Sequence, residues 1–162
     1  MVHTVGLTGA NGNVGSATAK SLASSVKDGK MKLVILHRAG SPPKGLKDED
    51  LIELRVIDLD GPAADIEAAV QGINVFISAI GVEGLSSEPP LVDALAKSKD
   101  LITYIPAAYS TTWTEADYAD PLLGGLLKMW HSSTDQAKEK GLGMTKVYTG
   151  AFDSYMFAGW DS

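Results

Sequence analysis

The stretch LTGANGNVG (residues 7–15) sets glycines at 9, 12 and 15, behind an apolar run and ahead of a helix-like segment. That arrangement has a chemistry. In a strand–turn–helix unit the chain reaches a helix N-terminus, where free N–H groups and about half a positive charge favour a phosphate. A side chain at Gly12 or its neighbours would hold a pyrophosphate away from those N–H groups, and Gly15 lets the helix pack close to the strand. No G-K-[ST] follows, which excludes the phosphate loop of nucleotide triphosphatases. The competing reading is a tight turn with no ligand. Placement after the first apolar strand and before the first helix favours a bound dinucleotide.

The next motif selects which dinucleotide. About 20 residues beyond such a fingerprint, an acid normally accepts a hydrogen bond from the ribose 2′-hydroxyl of NAD. Here the segment LVILHRAGSPPKGLK (33–47) offers Arg38 and no acid until Asp48. A carboxylate would repel a 2′-phosphate, whereas a guanidinium grips it through charge-assisted hydrogen bonds. Lys44 or Lys47 is placed to add a second cation. The expected cofactor is NADP(H), with an ordinary solvated loop charge as the alternative for Arg38. In VIDLDG (56–61), Asp58 is placed for the adenine amino group or, equally, for a turn or helix cap. In FISAIG (76–81), the small strand end at Ser78, Ala79 and Ile80 permits close backbone approach to the ribose and pyrophosphate.

The elements that must position these residues follow from apolar runs at fairly even spacing. Strands are expected at 3–8, 31–37, 54–58, 75–80, 101–106 and 144–149, and helices at 14–26, 66–70, 91–96 and 122–140. Short buried strands alternating with helices call for a parallel sheet covered on both faces. The expectation is a doubly wound α/β fold, strand order 3-2-1-4-5-6, with 1–150 as the dinucleotide-binding domain. The chain of 162 residues is long enough to bury a full core, and 44% apolar with 21% charged residues is ordinary for a soluble domain. A net charge of −6, well mixed, argues against nucleic acid or an anionic membrane as partner. No apolar run approaches a bilayer span or a signal peptide, so a cytoplasmic location is expected. With no cysteine there is no thiolate nucleophile. No His, Asp and Glu set has metal-ligand spacing, so no metal is expected. A G-x-S-x-G nucleophile elbow is also absent.

GANGNVG, LHRAGSP, VIDLDG, FISAIG, YIPAAY and VYTGAFDSYMF, in that order, resemble the NmrA-like and isoflavone reductase-like proteins, an atypical short-chain dehydrogenase/reductase group. The resemblance runs over essentially the whole chain. It implies a Rossmann-type sheet and NADP(H) held by Gly9, Asn11, Gly12, Asn13, Val14 and Arg38, with strand-end contacts at Asp58, Leu59, Ala79 and Pro106. Two departures stand out. Relatives of this kind run longer, with a C-terminal part closing over the substrate, whereas here residues 151–162 would only begin such a part. Phe152, Tyr155, Met156, Phe157 and Trp160 make an apolar tail, and a contiguous exposed apolar patch is unusual on a monomer. The expectation is a fragment of a longer protein, with a homo-oligomer covering the tail as the alternative.

The second departure concerns catalysis. The reductase dyad Tyr-x-x-x-Lys, in which lysine lowers the tyrosine pKa, is absent after all five tyrosines. The resemblance implies instead a lysine on the helix before the last strand, and Lys128 in LLKMWHSSTDQAKEKG is that candidate, as acid/base or ribose anchor. His131 lies one turn further on and is read first as a solvated helix residue. Tyr109 to Trp113 follow the fifth strand at the carboxyl edge, where open α/β sheets bind ligands. The expected function is NADPH-dependent reduction of a small, aromatic or polyketide-like metabolite. The alternatives are an NADP-sensing regulator without turnover and a non-redox isomerase or cyclase.

Overall fold

A computed structural model describes residues 2–45 and 52–150. Lys47, Asp48 and the 152–160 tail lie outside the described residues. The elements are β1 (His3–Thr8), α1 (Asn13–Lys27), β2 (Met31–His37), β3 (Glu53–Val56), α2 (Ala63–Ala69) and β4 (Val75–Ser78). A 3-10 helix (Val82–Ser87), α3 (Pro89–Lys97), β5 (Thr103–Ile105), α4 (Glu115–Ala119) and α5 (Leu123–Glu139) complete them. The sheet is parallel throughout, in the order β3-β2-β1-β4-β5. This is the expected Rossmann-type arrangement.

Alternation along β2 shows why both faces need cover. Leu33 and Ile35 pack with Val5, Leu7, Ala19 and Val26 on the α1 side. Val34 and Leu36 point the other way, into a larger cluster of Ile66 and Val70 with Leu91, Val92 and Leu95 from α2 and α3. A strand buried on both sides reads as a continuous apolar run, as LVIL does. Asn74 ties three strands at their amino ends. Its side-chain oxygen accepts from Thr4 N–H, its amide donates to the Asp100 carbonyl, and its own carbonyl accepts from Ile102 N–H.

The sixth strand expected over 144–149 is reduced to two isolated bridges, Tyr104 to Met144 and Ser110 to Tyr148. The segment does run parallel beside β5: Tyr104 N–H donates to the Gly143 carbonyl, and Thr145 N–H to that of Tyr104. The next N–H facing this edge belongs to position 106, and proline has none, so the ladder stops. β4 and β5 are likewise shorter than the runs 75–80 and 101–106. β3 ends at Val56, because Asp58 begins a turn in which its Oδ1 accepts from Asp60 N–H. Two elements were not expected, the 3-10 helix and α4. The latter carries a capping box in which the Thr114 hydroxyl accepts from Asp117 N–H and the Asp117 carboxylate from Thr114 N–H.

Among the described residues, one acidic side chain is wholly inside. Glu88, at the N-terminus of α3, accepts a 2.8 Å hydrogen bond from the Tyr104 hydroxyl, while its Oε2 meets no partner. Burial and the neighbouring carboxylate both push the Tyr104 hydroxyl far above its ordinary pKa, so it stays a donor. Tyr104→Phe removes the one hydrogen-bond partner that the Glu88 carboxyl has among the described residues. The expected loss is about 1–3 kcal/mol in urea denaturation, the cost of stranding a buried polar group. A loss under 0.5 kcal/mol, roughly that of a neutral surface change, would mean that Glu88 finds another donor.

Candidate functional site

The glycine turn is built by close approach. Gly9 has φ +74°, and a Cβ there would run into the Ala79 carbonyl at the end of β4. A Cβ at Gly15 would strike the Gly9 carbonyl, so α1 packs on the turn only because residue 15 has no side chain. Gly12 is different. It is the N-cap of α1, with ordinary φ −81° and ψ 172°, and a Cβ there would sit 3.4 Å from its nearest neighbour, the Gly9 carbonyl oxygen. The protein's own packing therefore demands Gly9 and Gly15 but not Gly12. Gly12 also supplies no side-chain cap to α1, a role that serine, threonine or aspartate would fill.

A cleft of about 560 Å³ opens at the carboxyl edge beside this turn. It is lined by Gly9 and Asn11, by His37 and Arg38 after β2, by Asp58 and Leu59 after β3, and by Ile80 to Gly84 after β4. Arg38 is exposed and is the one lysine or arginine among the described lining residues. Its carbonyl accepts from Ser41 N–H, which turns the loop. Asp58 is exposed with one carboxylate oxygen engaged by Asp60 N–H. Gly12 and Asn13 stand exposed at the start of α1 just outside the lining, and Val14 packs inward on the β1 side. Ala79 contributes the buried carbonyl against Gly9, and Pro106 is buried beyond β5 and lines no cleft described here.

Asn11 does something the sequence did not signal. Its amide donates to the Pro42 carbonyl at 3.1 Å and its Oδ1 accepts from Lys44 N–H at 2.9 Å. One side chain thus fastens the loop 39–45 across the mouth of the cleft and fixes where Arg38 stands.

A second, smaller cleft of about 180 Å³ lies between the loop after β5, α4, α5 and the 146–148 segment. Ala108, Thr111, Thr112 and Trp113 meet Tyr118, His131, Asp135, Lys146 and Tyr148 there. The Tyr118 hydroxyl and His131 Nδ1 are 2.6 Å apart. Burial pulls the His131 imidazole below its ordinary pKa against the opposing pull of Asp135, and Lys146 lowers it further. Burial and Asp135 push the Tyr118 hydroxyl up. α4 reaches α5 because Gly124 has no side chain: a Cβ there would strike the Tyr118 carbonyl. Asp120 then caps α5, its Oδ1 accepting from Leu122 and Leu123 N–H at 2.8 Å each. Lys128 is exposed on α5 and lines neither cleft. His131, one turn on, is half-buried and faces the second cleft rather than solvent alone.

A parallel sheet in this order, with a glycine-shaped turn at the first helix and a cleft along the carboxyl edge, defines a Rossmann-type fold. No family model and no curated protein matches the chain. Solved structures do share its fold. An isoflavone reductase structure superposes with a TM-score of 0.73 at 14% identity, covering 100% of this chain and 54% of its own. The complex of leucoanthocyanidin reductase with NADPH, from Vitis vinifera, gives 0.70 at 18%, covering 91% and 48%. Triphenylmethane reductase of Citrobacter sp. with NADP(H) gives 0.67 at 12%, covering 94% and 51%. These are the kind of reductase that the motifs resemble, and the chain spans about half the length of each. Among the described residues no helix is long and apolar enough to cross a membrane.

The contrast between the glycines is testable. Gly9→Ala is expected to cost more than about 2 kcal/mol in urea denaturation, through its positive φ and its clash with Ala79. Gly12→Ser is expected to leave stability unchanged or raise it by about 0.3 kcal/mol, as an N-cap. Equal losses at both positions would place the demand for Gly12 inside the fold.

Proposed function

We propose that the chain binds NADP(H) along the carboxyl edge and forms the cofactor-binding part of a reductase of small aromatic metabolites. The observation that carries this is Gly12: it gives α1 no side-chain cap, and no neighbouring group requires its missing side chain. A pyrophosphate resting on the first turn of α1 supplies the reason. Gly9, Gly12, Asn13 and Val14 offer backbone to the pyrophosphate. Asn11 acts by holding the loop. Arg38 takes the 2′-phosphate, Asp58 the adenine amino group, and Leu59 and Ile80 the apolar faces of the adenosine. Ala79 and Pro106 shape the strand ends that the far half of the ligand passes. The NADPH and NADP(H) complexes among the similar structures, and the aromatic compounds for which those reductases are named, support this reading. A reduced nicotinamide bound here supplies a hydride. Lys128 is proposed as the ribose anchor, one of the two roles that the sequence resemblance implies for it.

Calorimetric titration with NADPH and NADH tests the proposal. NADPH is expected to bind the wild type well ahead of NADH. Arg38→Ala is expected to weaken NADPH tenfold or more, about 1.4 kcal/mol, with little change for NADH. Gly12→Ser is expected to weaken both while leaving the fold intact. Failure of either dinucleotide to bind the folded wild type would overturn the reading. Tight binding with a marked preference for NADP⁺ and no turnover of any carbonyl compound would indicate a sensor instead.

A further inference from the structure

The second cleft holds what the absent Tyr-x-x-x-Lys dyad would otherwise supply: a tyrosine hydroxyl against a group able to hand it a proton. We infer that this cleft receives an aromatic carbonyl compound and that Tyr118, backed by His131, protonates its oxygen during reduction. The inference rests on the NADP(H) reading above and names the substrate class and proton donor for that same edge.

The geometry carries it in three ways. First, position: β5 follows β4 in the sheet, and the loop after β5 forms one wall of the second cleft. A dinucleotide lying from β3 across β1 points its far end past β4 toward that wall. Second, the lining: Trp113 and Tyr148 offer aromatic surface around hydroxyls of Thr111, Thr112 and Tyr118. A volume of about 180 Å³ is below the roughly 300–1,000 Å³ of drug-sized sites, so it suits a single substituted ring. Third, the pair itself: Tyr118 and His131 belong to different helices, held by the Gly124 close approach and by the Asp120 cap. Their 2.6 Å hydrogen bond is therefore fixed by packing rather than by chance of two mobile side chains.

The proton bookkeeping closes. With His131 neutral at Nδ1, the Tyr118 hydroxyl donates to it. With His131 protonated, Nδ1–H donates to the Tyr118 oxygen and the hydroxyl proton is free to point into the cleft. The carbonyl carbon then gains a hydride from a reduced nicotinamide dinucleotide, and the C=O π pair moves onto oxygen. That oxygen takes the Tyr118 proton, Tyr118 takes the proton from Nδ1, and neutral His131 regains one from water. The groups facing the imidazole are Tyr118 on α4, Asp135 on α5, and Lys146 and Tyr148 on the returning segment. Asp135 favours the cation, while burial and Lys146 oppose it, so kcat falls as pH rises through and above a value lower than that of a free histidine.

The test uses the full chain, NADPH, and 4-nitrobenzaldehyde as probe. Three quantities are read: NADPH affinity by calorimetry, aldehyde binding by quenching of tryptophan fluorescence, and kcat by NADPH consumption from pH 5 to 9. Tyr118→Phe is expected to lower kcat about 100-fold, with NADPH and aldehyde affinities close to wild type. His131→Gln is expected to lower kcat about tenfold and flatten its pH profile, the mark of a positioning residue acting through Tyr118. Trp113→Phe is expected to remove most of the quench. The inference falls if the wild type binds NADPH but neither binds nor reduces the aldehyde, or if Tyr118→Phe turns over like wild type. Absence of NADPH binding to the wild type would instead bring down the cofactor reading beneath it.

Discussion

Three backbone segments meet at the carboxyl edge with no room for a side chain between them: the turn after β1, the last carbonyl of β4, and the first turn of α1. Everything around the larger cleft depends on that meeting. The Ala79 carbonyl fixes where β4 ends relative to β1, and the Gly9 carbonyl fixes how deeply α1 sits on the sheet. Because α1 is the helix that packs on the β1, β2 side, its depth sets the cover of that whole face. The left-handed backbone at Gly9 is the local cost of this closeness. It is held by the fit of both neighbours, and the Gly9 carbonyl accepts from Gly12 N–H at 2.9 Å.

The carboxyl edge divides into two regions of different character. Around β1, β2 and β3 the walls are backbone, one arginine, polar side chains and apolar ones such as Leu36, Ile57 and Leu59. Around β5 the walls are aromatic rings and a tyrosine–histidine pair. The first region is fastened by Asn11 to a loop, and the second by Gly124 to a helix. Each sets the place of a cleft-lining residue, Arg38 in one case and Tyr118 in the other.

Much of this was legible in the residues. β1 and β2 stand at the expected bounds because their apolar runs are continuous and flanked by polar turns. The strand order through β5 followed from strands alternating with helices. The sixth strand was less certain than its apolar run implied, since a proline in the neighbouring strand removes the N–H the ladder requires, and that depends on the partner strand. α4 did have a local signal, the Thr114 to Asp117 capping box, but its five residues lack an apolar period. Arg38 and Asp58 fall in the cleft, as their places after β2 and β3 suggested. Asn11 as a loop fastener and Tyr118 as a partner of His131 were not legible, because both depend on contacts between distant segments. Lys128 illustrates the converse: a resemblance can nominate a residue, but only the helix rotation says which way it faces.

The pairing of β1 with β4 bears on how the chain acquires its shape during synthesis. Thr8 and Ser78 meet across 70 residues of intervening chain. A sheet built only of parallel neighbours has no hairpin from which to start. Contacts of this separation close late, after more local ones have formed. A nascent chain that has passed β2 and β3 already owns its glycine turn, but the carbonyl that presses against Gly9 has not yet been made. On the ribosome, then, the phosphate-facing turn exists as sequence long before it exists as a surface, and it becomes one only when Ala79 arrives.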